Sequence, residues 1–441
     1  MTIAAVSTSS LSALISAFAP ERYDTAINLA SPLFASGLIE KEDVDGKEIE
    51  VTLLGGANAS TSWVADNGTL PLGMAPTPVI ARAMPAFLVS KITMGRGASI
   101  AKLSDSQLSG LFDATLEQAA EHCGQVLGRS LHGGSISPQA GTVWTATAAN
   151  GTCTVNFLDV SLFRPGASYD FLDLTSNSFV VRCTEVTPAT VGANSDAVAG
   201  SASFINDIPN PATGAVVALT DVTVAVGDSF RARGETAGFG GALTLTGSDI
   251  NSFDDMAGSS PGASFMGVTS AAFPGWRGAN KSIAAAYSQE AVVAFLGRMH
   301  VQSGVYPNVA VLSPQLVAAH IAATGVHGAV FGQSNTISAA RPMPVDKSAD
   351  KFGNVSERDG LKVGGASIVQ DPNSIATRAV FFHNSKTKIG IWKKMGPVEE
   401  AGDPVFISRT SYQNEAIVDG GYQLYTSKRA SVGILDGFTG L

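Results

Sequence analysis

The sequence predicts an α+β fold into which an all-β domain is inserted. Three observations lead to this class. Apolar residues recur at helical spacing near residue 105, short β-rich runs separated by turn residues follow, and mixed helices and strands return near residue 280. With 441 residues, the chain is long enough for two or three domains of about 150 residues.

Composition indicates a globular chain with little charge for its surface. Hydrophobic residues make up 45% and charged residues only 15%, whereas about a quarter is usual for the charged set. No run approaches the roughly 18 apolar residues that a membrane helix needs, so we expect no membrane partner. Because little charge is available to cover an exposed surface, we expect other copies of the chain to cover part of it.

The first forty residues are predicted to form an arm. An apolar stretch at residues 11–18 is short and has no basic region before it, so we expect no secretory signal peptide. Residues 1–80 carry three basic and nine acidic side chains, a net charge of -6. The charge is therefore distributed unevenly along the chain, and any contact with a polyanion would have to be local and weak.

Residues 41–100 are predicted to form an extended hairpin. Residues 48–54 have the alternation of a strand, and residues 79–94 provide a longer partner strand. Between them, residues 55–71 form a polar tip around Trp63. Since an isolated hairpin is marginally stable in water, we expect this one to lie on a neighbouring molecule.

Residues 101–140 contain the clearest helix of the sequence. Ser104 and Gln107 fit a capping box, and apolar residues then recur at helical spacing as far as Leu131. Gly133 and Gly134 supply the stop. At 1.5 Å per residue such a helix is roughly 40 Å long, which suits a structural spine.

Residues 141–240 are predicted to be an inserted antiparallel β-domain. The helical period disappears, and Pro and Gly separate short β-rich runs. The segment has four basic and nine acidic side chains, a net charge of -5, and no lysine. The predicted strands are residues 152–158, 178–186, 199–205, 215–220 and 229–233.

Residues 241–390 are predicted to form an α/β domain, and residues 391–441 to supply returning strands. A helix is predicted at 282–299 and another at 314–324, with a loose segment from 325 to 362. The predicted strands here are residues 309–312, 378–383, 388–392, 405–408 and 422–427.

The sequence offers no catalytic, metal or cofactor site, and we predict that the chain is not an enzyme. Residues 273–282 superficially resemble a phosphate-binding loop, but Asn280 stands where such a loop needs a glycine before Lys281. We therefore expect Lys281 to begin the next helix. The six histidines lack metal-ligand spacing, and Asp254 and Asp255 are expected to be solvated in a Gly/Ser-rich loop.

The order of elements resembles the major capsid protein of tailed double-stranded-DNA bacteriophages. The passage 83–107, from hairpin to long helix, carries part of the resemblance. The run 405–436 carries the rest: Val405 to Arg409, then Tyr422 to Tyr425, then Arg429 to Leu435 are similar to the closing strands of that family. The resemblance covers most of the chain outside residues 141–240.

The resemblance implies the tailed-phage major capsid fold. It would consist of an N-terminal arm, an extended hairpin loop, a peripheral domain with a spine helix, an axial α/β domain and the all-β insertion. The chain would assemble with itself into hexamers and pentamers of an icosahedral head that encloses double-stranded DNA. Its place would be the virion, after assembly in the bacterial host cytoplasm.

The same resemblance implies partners and contacts. Portal and scaffolding proteins are expected partners, a decoration protein is a further candidate, and DNA contact is expected to be weak and non-specific because the net charge is -9. Some members of the family crosslink a lysine to an asparagine, but no carboxylate is placed to assist Lys91, and we predict no crosslink. The candidate intersubunit contacts are Arg22, Trp63, Lys91, Lys393 and Lys394.

Two other interpretations remain open at this stage. An encapsulin-like nanocompartment shell would share the fold, although the β insertion and the chain length count against it. A β-rich surface-layer protein would need the signal peptide that we do not find. The basic cluster formed by Lys386, Lys388, Lys393 and Lys394 is equally well explained as a solvated strand face.

Overall fold

The fold is mixed α/β, and its described residues fall into two compact units, Met1–Gly128 with Asn251–Leu441 and Arg129–Ile250. The computed structural model describes residues 23, 25–28, 31–35, 38–55, 77–95, 105–133, 142–145, 152–157, 160, 163, 165–166, 168–172, 178–188, 200–205, 220–224, 229–232, 250–258, 264–271, 273, 275–331, 357–398, 405–407 and 413–439. Arg22, Trp63 and the arm helix predicted at residues 11–18 lie outside this described part.

The described helices and strands are numbered here in chain order. The helices are α1 (Pro32–Ala35), α2 (Asp105–Leu131), α3 (Phe253–Ala257), α4 (Gln289–Ser303) and α5 (Pro314–Phe331), with a 3₁₀ turn at Arg429–Ser431. The strands are β1 (Glu40–Asp43), β2 (Ile49–Gly55), β3 (Thr77–Ala83), β4 (Ala86–Gly95), β5 (Thr142–Thr145), β6 (Thr152–Phe157), β7 (Ser168–Leu172), β8 (Ser178–Pro188), β9 (Gly200–Ile205), β10 (Thr220–Val224), β11 (Ser229–Ala232), β12 (Ser264–Phe265), β13 (Val268–Thr269), β14 (Ala279–Ala286), β15 (Val309–Leu312), β16 (Glu357–Val363), β17 (Ala366–Gln370), β18 (Ala379–Phe382), β19 (Thr387–Pro397), β20 (Val405–Ile407), β21 (Gln413–Thr426) and β22 (Gly433–Thr439).

The long strand β21 organises a five-stranded sheet in the larger unit. Along one edge β21 pairs antiparallel with β4, and along the other it pairs first with β20 and then with β19. Strand β1 adds to β19 in parallel register, from Glu40 opposite Lys388 to Asp43 opposite Ile391. The sheet therefore holds residues near position 40 against residues near position 390.

A six-stranded sheet, with strand order β14-β22-β18-β15-β17-β16, also belongs to the larger unit. All four residues of β15 are buried, which is typical of a central strand that is covered on both faces. Helices α4 and α5 contribute Phe295, Leu296, Met299 and Leu316 to its apolar core. This core is complete within the subunit.

The long helix predicted at residues 104–132 is confirmed as α2. Leu116, Cys123 and Leu127 are buried at helical spacing, and Gly133 follows the helix with φ +81°. Gly128 allows close packing, because a Cβ at that position would lie 2.5 Å from Nδ2 of Asn373.

The hairpin is formed by β2 and β3, paired from Ile49 opposite Ala83 to Gly55 opposite Thr77. At about 3.4 Å per residue the seven pairs extend roughly 24 Å. The predicted partner strand, residues 79–94, is wrong as a single element. It breaks at Met84 and Pro85, where proline removes a backbone donor, and the second part becomes β4 and pairs with β21 instead.

The second unit contains an antiparallel sheet with strand order β11-β7-β8-β9-β6 and a separate pair, β10-β5. The strands predicted at 152–158, 178–186, 199–205 and 229–233 are confirmed to within two residues. The strand predicted at 215–220 lies outside the described residues except at Thr220, which begins β10. Strands β5 and β7 were not predicted from the sequence. The buried core of the sheet is aromatic and includes Phe157, Phe163, Tyr169, Phe171, Phe204 and Phe230.

Two helix predictions need correction. Residues 282–286, predicted as helix, belong to β14, which pairs in parallel with the final strand β22. The helix begins only after Ser288, whose hydroxyl accepts from the backbone N–H of Ala291 as an N-cap. In addition, α5 continues to Phe331, so His327 lies in a helix and not in a loop.

Candidate assembly surface

Four large apolar side chains along β3 and β4 are exposed. Ile80, Met84, Phe87 and Val89 have exposed fractions of 47, 64, 59 and 56%, and we call this set the apolar strip. Single exposed apolar residues are ordinary, but several within ten residues of one chain segment mark an interaction site.

The backbone explains why the apolar strip faces outward. Along β3 the buried residues Ala81 and Ala83 alternate with exposed Ile80 and Arg82, and in β4 buried Ala86 precedes exposed Phe87. A strand with one solvated face normally carries polar residues on that face. Here most outward positions of β3 and β4 are apolar as well, and the described residues leave these positions exposed although the two strands belong to different sheets.

The base of the hairpin is fixed in position by Arg82. Its guanidinium lies 3.4 Å from a carboxylate oxygen of Glu48 and 3.2 Å from one of Glu50, and its backbone N–H donates to the carbonyl of Met266 over 2.9 Å. Exposed ion pairs of this kind contribute less than about 1 kcal/mol each. The backbone bond to Met266 and the pairing of β2 with β3 are therefore the main supports.

The three described residues among the predicted intersubunit contacts, Lys91, Lys393 and Lys394, have different local environments. Lys91 lies in β4 opposite Ile417 of β21, and not in a strand that pairs with β2 as predicted. Lys393 pairs with the carboxylate of Asp419. Lys394 is exposed and forms no ion pair with any described residue. A role of these lysines between subunits stays a prediction.

Lys388 belongs to the predicted basic cluster but is neutralised within the subunit. Its ammonium lies 3.2 Å from carboxylates of both Glu40 and Glu42, and these bonds raise its pKa. The hydroxyl of Tyr425 donates to Glu42 over 2.5 Å, and this bond is the main reason that the pKa of Glu42 is lowered. The contacts attach β1 to β19, so the basic cluster presents less free charge than its sequence suggests.

The expectation that Asp254 and Asp255 lie in a loop is wrong, whereas Asp255 is exposed as expected and Asp254 is partly exposed. Both lie in α3, where Asp255 and Ser252 form a capping box. Asp254 accepts from Arg378 over 2.6 Å, and the same guanidinium lies 3.3 Å from Asp436. Burial raises the pKa of Asp254 although Arg378 opposes the shift. We call Arg378 with Asp254 and Asp436 the charged anchor.

Arg429 is a second buried cation that the sequence analysis missed. Its guanidinium donates to the carbonyls of Met256, Asp255 and Trp276 over 2.8, 2.6 and 3.2 Å. Burial lowers its pKa to about 10, which leaves it charged at neutral pH. The three bonds tie α3 and residue 276 to the C-terminal 3₁₀ turn. Only Ser252 and Asp255, spaced as a capping box, could have indicated this region from sequence.

Other chemistry is sparse in the described part of the chain. The cysteines Cys123, Cys153 and Cys183 are buried, and burial raises the pKa of Cys153 and of Cys183 to about 11. Among the described residues no three His, Cys, Asp or Glu side chains group as metal ligands. No helix in that same part is long and apolar enough to span a membrane.

Comparison with solved structures gives similarities to two capsids and to a virus-like particle. The asymmetric unit of the Cyanophage A-1(L) capsid is 13% identical, with 93% of this chain and 94% of that chain covered and a TM-score of 0.47. The capsid of a native GTA particle is 8% identical, with coverages of 93 and 91% and a TM-score of 0.41. A virus-like particle from Pyrococcus furiosus is also 8% identical, with coverages of 96 and 99% and a TM-score of 0.37.

No protein-family model and no curated protein matches the sequence. The solved structures are 8 to 13% identical to this chain, with TM-scores of 0.37 to 0.47.

Proposed function

We propose that the chain is a major capsid subunit of a tailed double-stranded-DNA phage. The observation that carries the proposal is the apolar strip, which leaves Ile80, Met84, Phe87 and Val89 exposed on an extended element. Burying apolar surface yields about 25 cal/mol per Å², and a closed shell repeats the contact in every subunit. The strip therefore supports self-assembly.

The elements of the larger unit fit the parts of such a subunit. In this proposal β1 and the residues before it form the arm, and β2 with β3 forms the hairpin loop that lies on a neighbour. Helix α2 with the five-stranded sheet forms the peripheral domain, and the six-stranded sheet with α4 and α5 forms the axial domain. Residues 129–250 form the insertion.

Assembly is the activity that we propose, and no catalytic step is part of it. Hexamers and pentamers of the chain would form an icosahedral head around DNA, with portal and scaffolding proteins as partners and a decoration protein as a further candidate. Assembly would take place in the host cytoplasm, and the product would be part of the virion. The local pairing of Lys388 and Lys393 with carboxylates supports weak DNA contact.

Expression of the full chain, alone and together with its neighbouring genes, tests this function. Electron microscopy of the purified products is expected to show closed shells with hexameric and pentameric capsomers, and native particles are expected to contain DNA. Shells that enclose protein cargo and no DNA would instead identify a nanocompartment. A chain that remains monomeric at high concentration under both conditions would contradict any shell function.

A further inference from the structure

A cavity of about 320 Å³ opens beside the start of β14, and none of the residues that line it is acidic. Its polar lining comes from Arg277, Asn280, Arg298 and Gln302. Two guanidinium groups and two carboxamides with no carboxylate form a set of donors suited to an anion.

Two separate elements place these donors together. Arg298 and Gln302 are one turn apart on α4, and both are exposed. Arg277 and Asn280 lie where the chain enters β14. Within the described part of the chain, neither arginine forms an ion pair or a hydrogen bond, so both guanidinium groups are available to a ligand.

The backbone at one side of the cavity packs closely on α3. A Cβ on Gly278 would lie 2.3 Å from the carbonyl oxygen of Met256, so the backbone here packs directly on the end of α3. The buried guanidinium of Arg429 donates to the carbonyl of Trp276, and the next residue, Ala430, lines the cavity. The charge of Arg429 is therefore close to the cavity, although Arg429 does not line it and also interacts with the carboxylate of Asp255.

We propose that this cavity binds a phosphoryl group, with Arg277 and Arg298 as its principal ligands and the amides of Asn280 and Gln302 as further donors. Each arginine guanidinium can donate two hydrogen bonds to a pair of phosphate oxygens. Two guanidinium groups therefore suit a phosphoryl dianion better than they suit a single carboxylate. The volume is at the low end for ligand sites and exceeds one phosphate, so the phosphoryl group belongs to a larger molecule.

Residues 273–282 contribute to this cavity although they do not form a phosphate-binding loop. Such a loop needs a glycine that lets backbone amides curl around phosphates, and Asn280 stands at that position. In this cavity the donors are side chains, two of them from α4, so that glycine is not required. The site does not depend on shell assembly.

Calorimetric titration of the full chain with pyrophosphate, in a phosphate-free buffer of low ionic strength, tests the site. Saturable binding is expected, and R277Q/R298Q is expected to weaken it by at least about tenfold, because two charge-assisted contacts are lost. R277K/R298K retains the charge without the fork and should weaken binding less. The control K47Q/K362Q removes the same charge from exposed lysines outside the cavity and should change affinity by less than about twofold.

Competition identifies the source of the phosphoryl group. Displacement of pyrophosphate by a short DNA duplex would assign the site to a nucleic-acid backbone, and displacement by a nucleoside monophosphate alone would assign it to a free nucleotide. The proposal is overturned if pyrophosphate does not saturate, if R277Q/R298Q binds as well as K47Q/K362Q, or if glutarate binds better than pyrophosphate. A chain that forms no shells but binds pyrophosphate would contradict the capsid function and leave this site intact.

Discussion

The apolar strip and the charged anchor differ in how the polarity of their side chains relates to their exposure to solvent. The strip consists of apolar side chains that remain 47 to 64% exposed, although water is a poor environment for them. The anchor consists of charged side chains that are partly buried, with exposed fractions of 15% for Arg378, 33% for Asp254 and 36% for Asp436, and Arg378 lies within 3.3 Å of both carboxylates. The carboxylates of the anchor are paired with Arg378 within the subunit, whereas the apolar side chains of the strip stay exposed.

The difference indicates which part of the molecule stabilises the subunit and which part joins subunits. Replacement of anchor residues should reduce the free energy of unfolding of the isolated chain. Replacement of strip residues should leave that free energy nearly unchanged and should affect assembly. The predictions below test this division, from the largest expected effect on unfolding to the smallest.

The largest effect is expected from R378M. This change leaves the partly buried carboxylate of Asp254 without its guanidinium. Breaking a fully buried pair costs about 3–5 kcal/mol, and we expect about 3–4 kcal/mol here because a third of the Asp254 side chain is exposed to solvent. Urea unfolding of the isolated chain measures the loss. The double variant D254N/R378M should recover at least about 1 kcal/mol, because it also removes the uncompensated charge. An R378M chain as stable as wild type would show that the anchor stabilises nothing.

A smaller but clear loss is expected from R429M. The carbonyls of Asp255, Met256 and Trp276 lose their common donor, and buried acceptors without partners cost about 1–3 kcal/mol each where water cannot replace the donor. We expect a total loss of about 3 kcal/mol in the same unfolding measurement. K428M alters the exposed neighbouring residue and should cost less than about 0.5 kcal/mol.

Phe87 provides the contrast with the anchor. Its ring is 59% exposed, so F87S should change the free energy of unfolding of the isolated chain by less than about 0.5 kcal/mol. A loss above about 2 kcal/mol would mean that the ring is part of the subunit's own core, and the comparison between strip and anchor would fail.

The smallest effect concerns the attachment of β1. The pKa of Glu42 is lower in the folded chain than in the unfolded chain, mainly because Tyr425 donates to its carboxylate. Its contribution to stability is therefore present above the unfolded pKa of about 4.3 and is lost as the pH falls through the folded pKa.

Melting temperatures measured from neutral to acidic pH test this contribution. E42Q should melt slightly below wild type at neutral pH, and the difference should disappear in acid. A difference that is constant over the whole pH range would show that the carboxylate has no such linkage.

Sequence periodicity predicted the elements whose stability is local. Helix α2 has its own apolar face and its glycine stop at Gly133, and β2 and β15 have strand-like residues, so each could be recognised without knowledge of its partners. The break at Pro85 could also have been read from the sequence, because proline is rare inside a paired strand.

Elements that depend on distant partners could not be predicted in this way. Strand β14 is alanine-rich, and only its pairing with β22, about 150 residues later in the chain, makes it a strand. The role of Asp254 in the anchor could not be predicted either, because its partner Arg378 and the other carboxylate, Asp436, come from distant segments of the chain. The apolar strip was not predicted for a related reason. An apolar residue in a strand is normally expected to be buried, and only the structure shows that Ile80, Met84, Phe87 and Val89 are exposed.

The most direct test of the account compares the assembly of M84S/F87S/V89S with that of wild type, with V301S as the control. Val301 is 84% exposed but lies on α4, outside the strip. Sedimentation and electron microscopy measure the fraction of chain in closed shells, and urea unfolding measures subunit stability. We predict that the triple variant forms no shells while its free energy of unfolding stays within about 1.5 kcal/mol of wild type, and that V301S assembles normally. Wild-type shell yield from the triple variant would contradict the claim that the strip joins subunits.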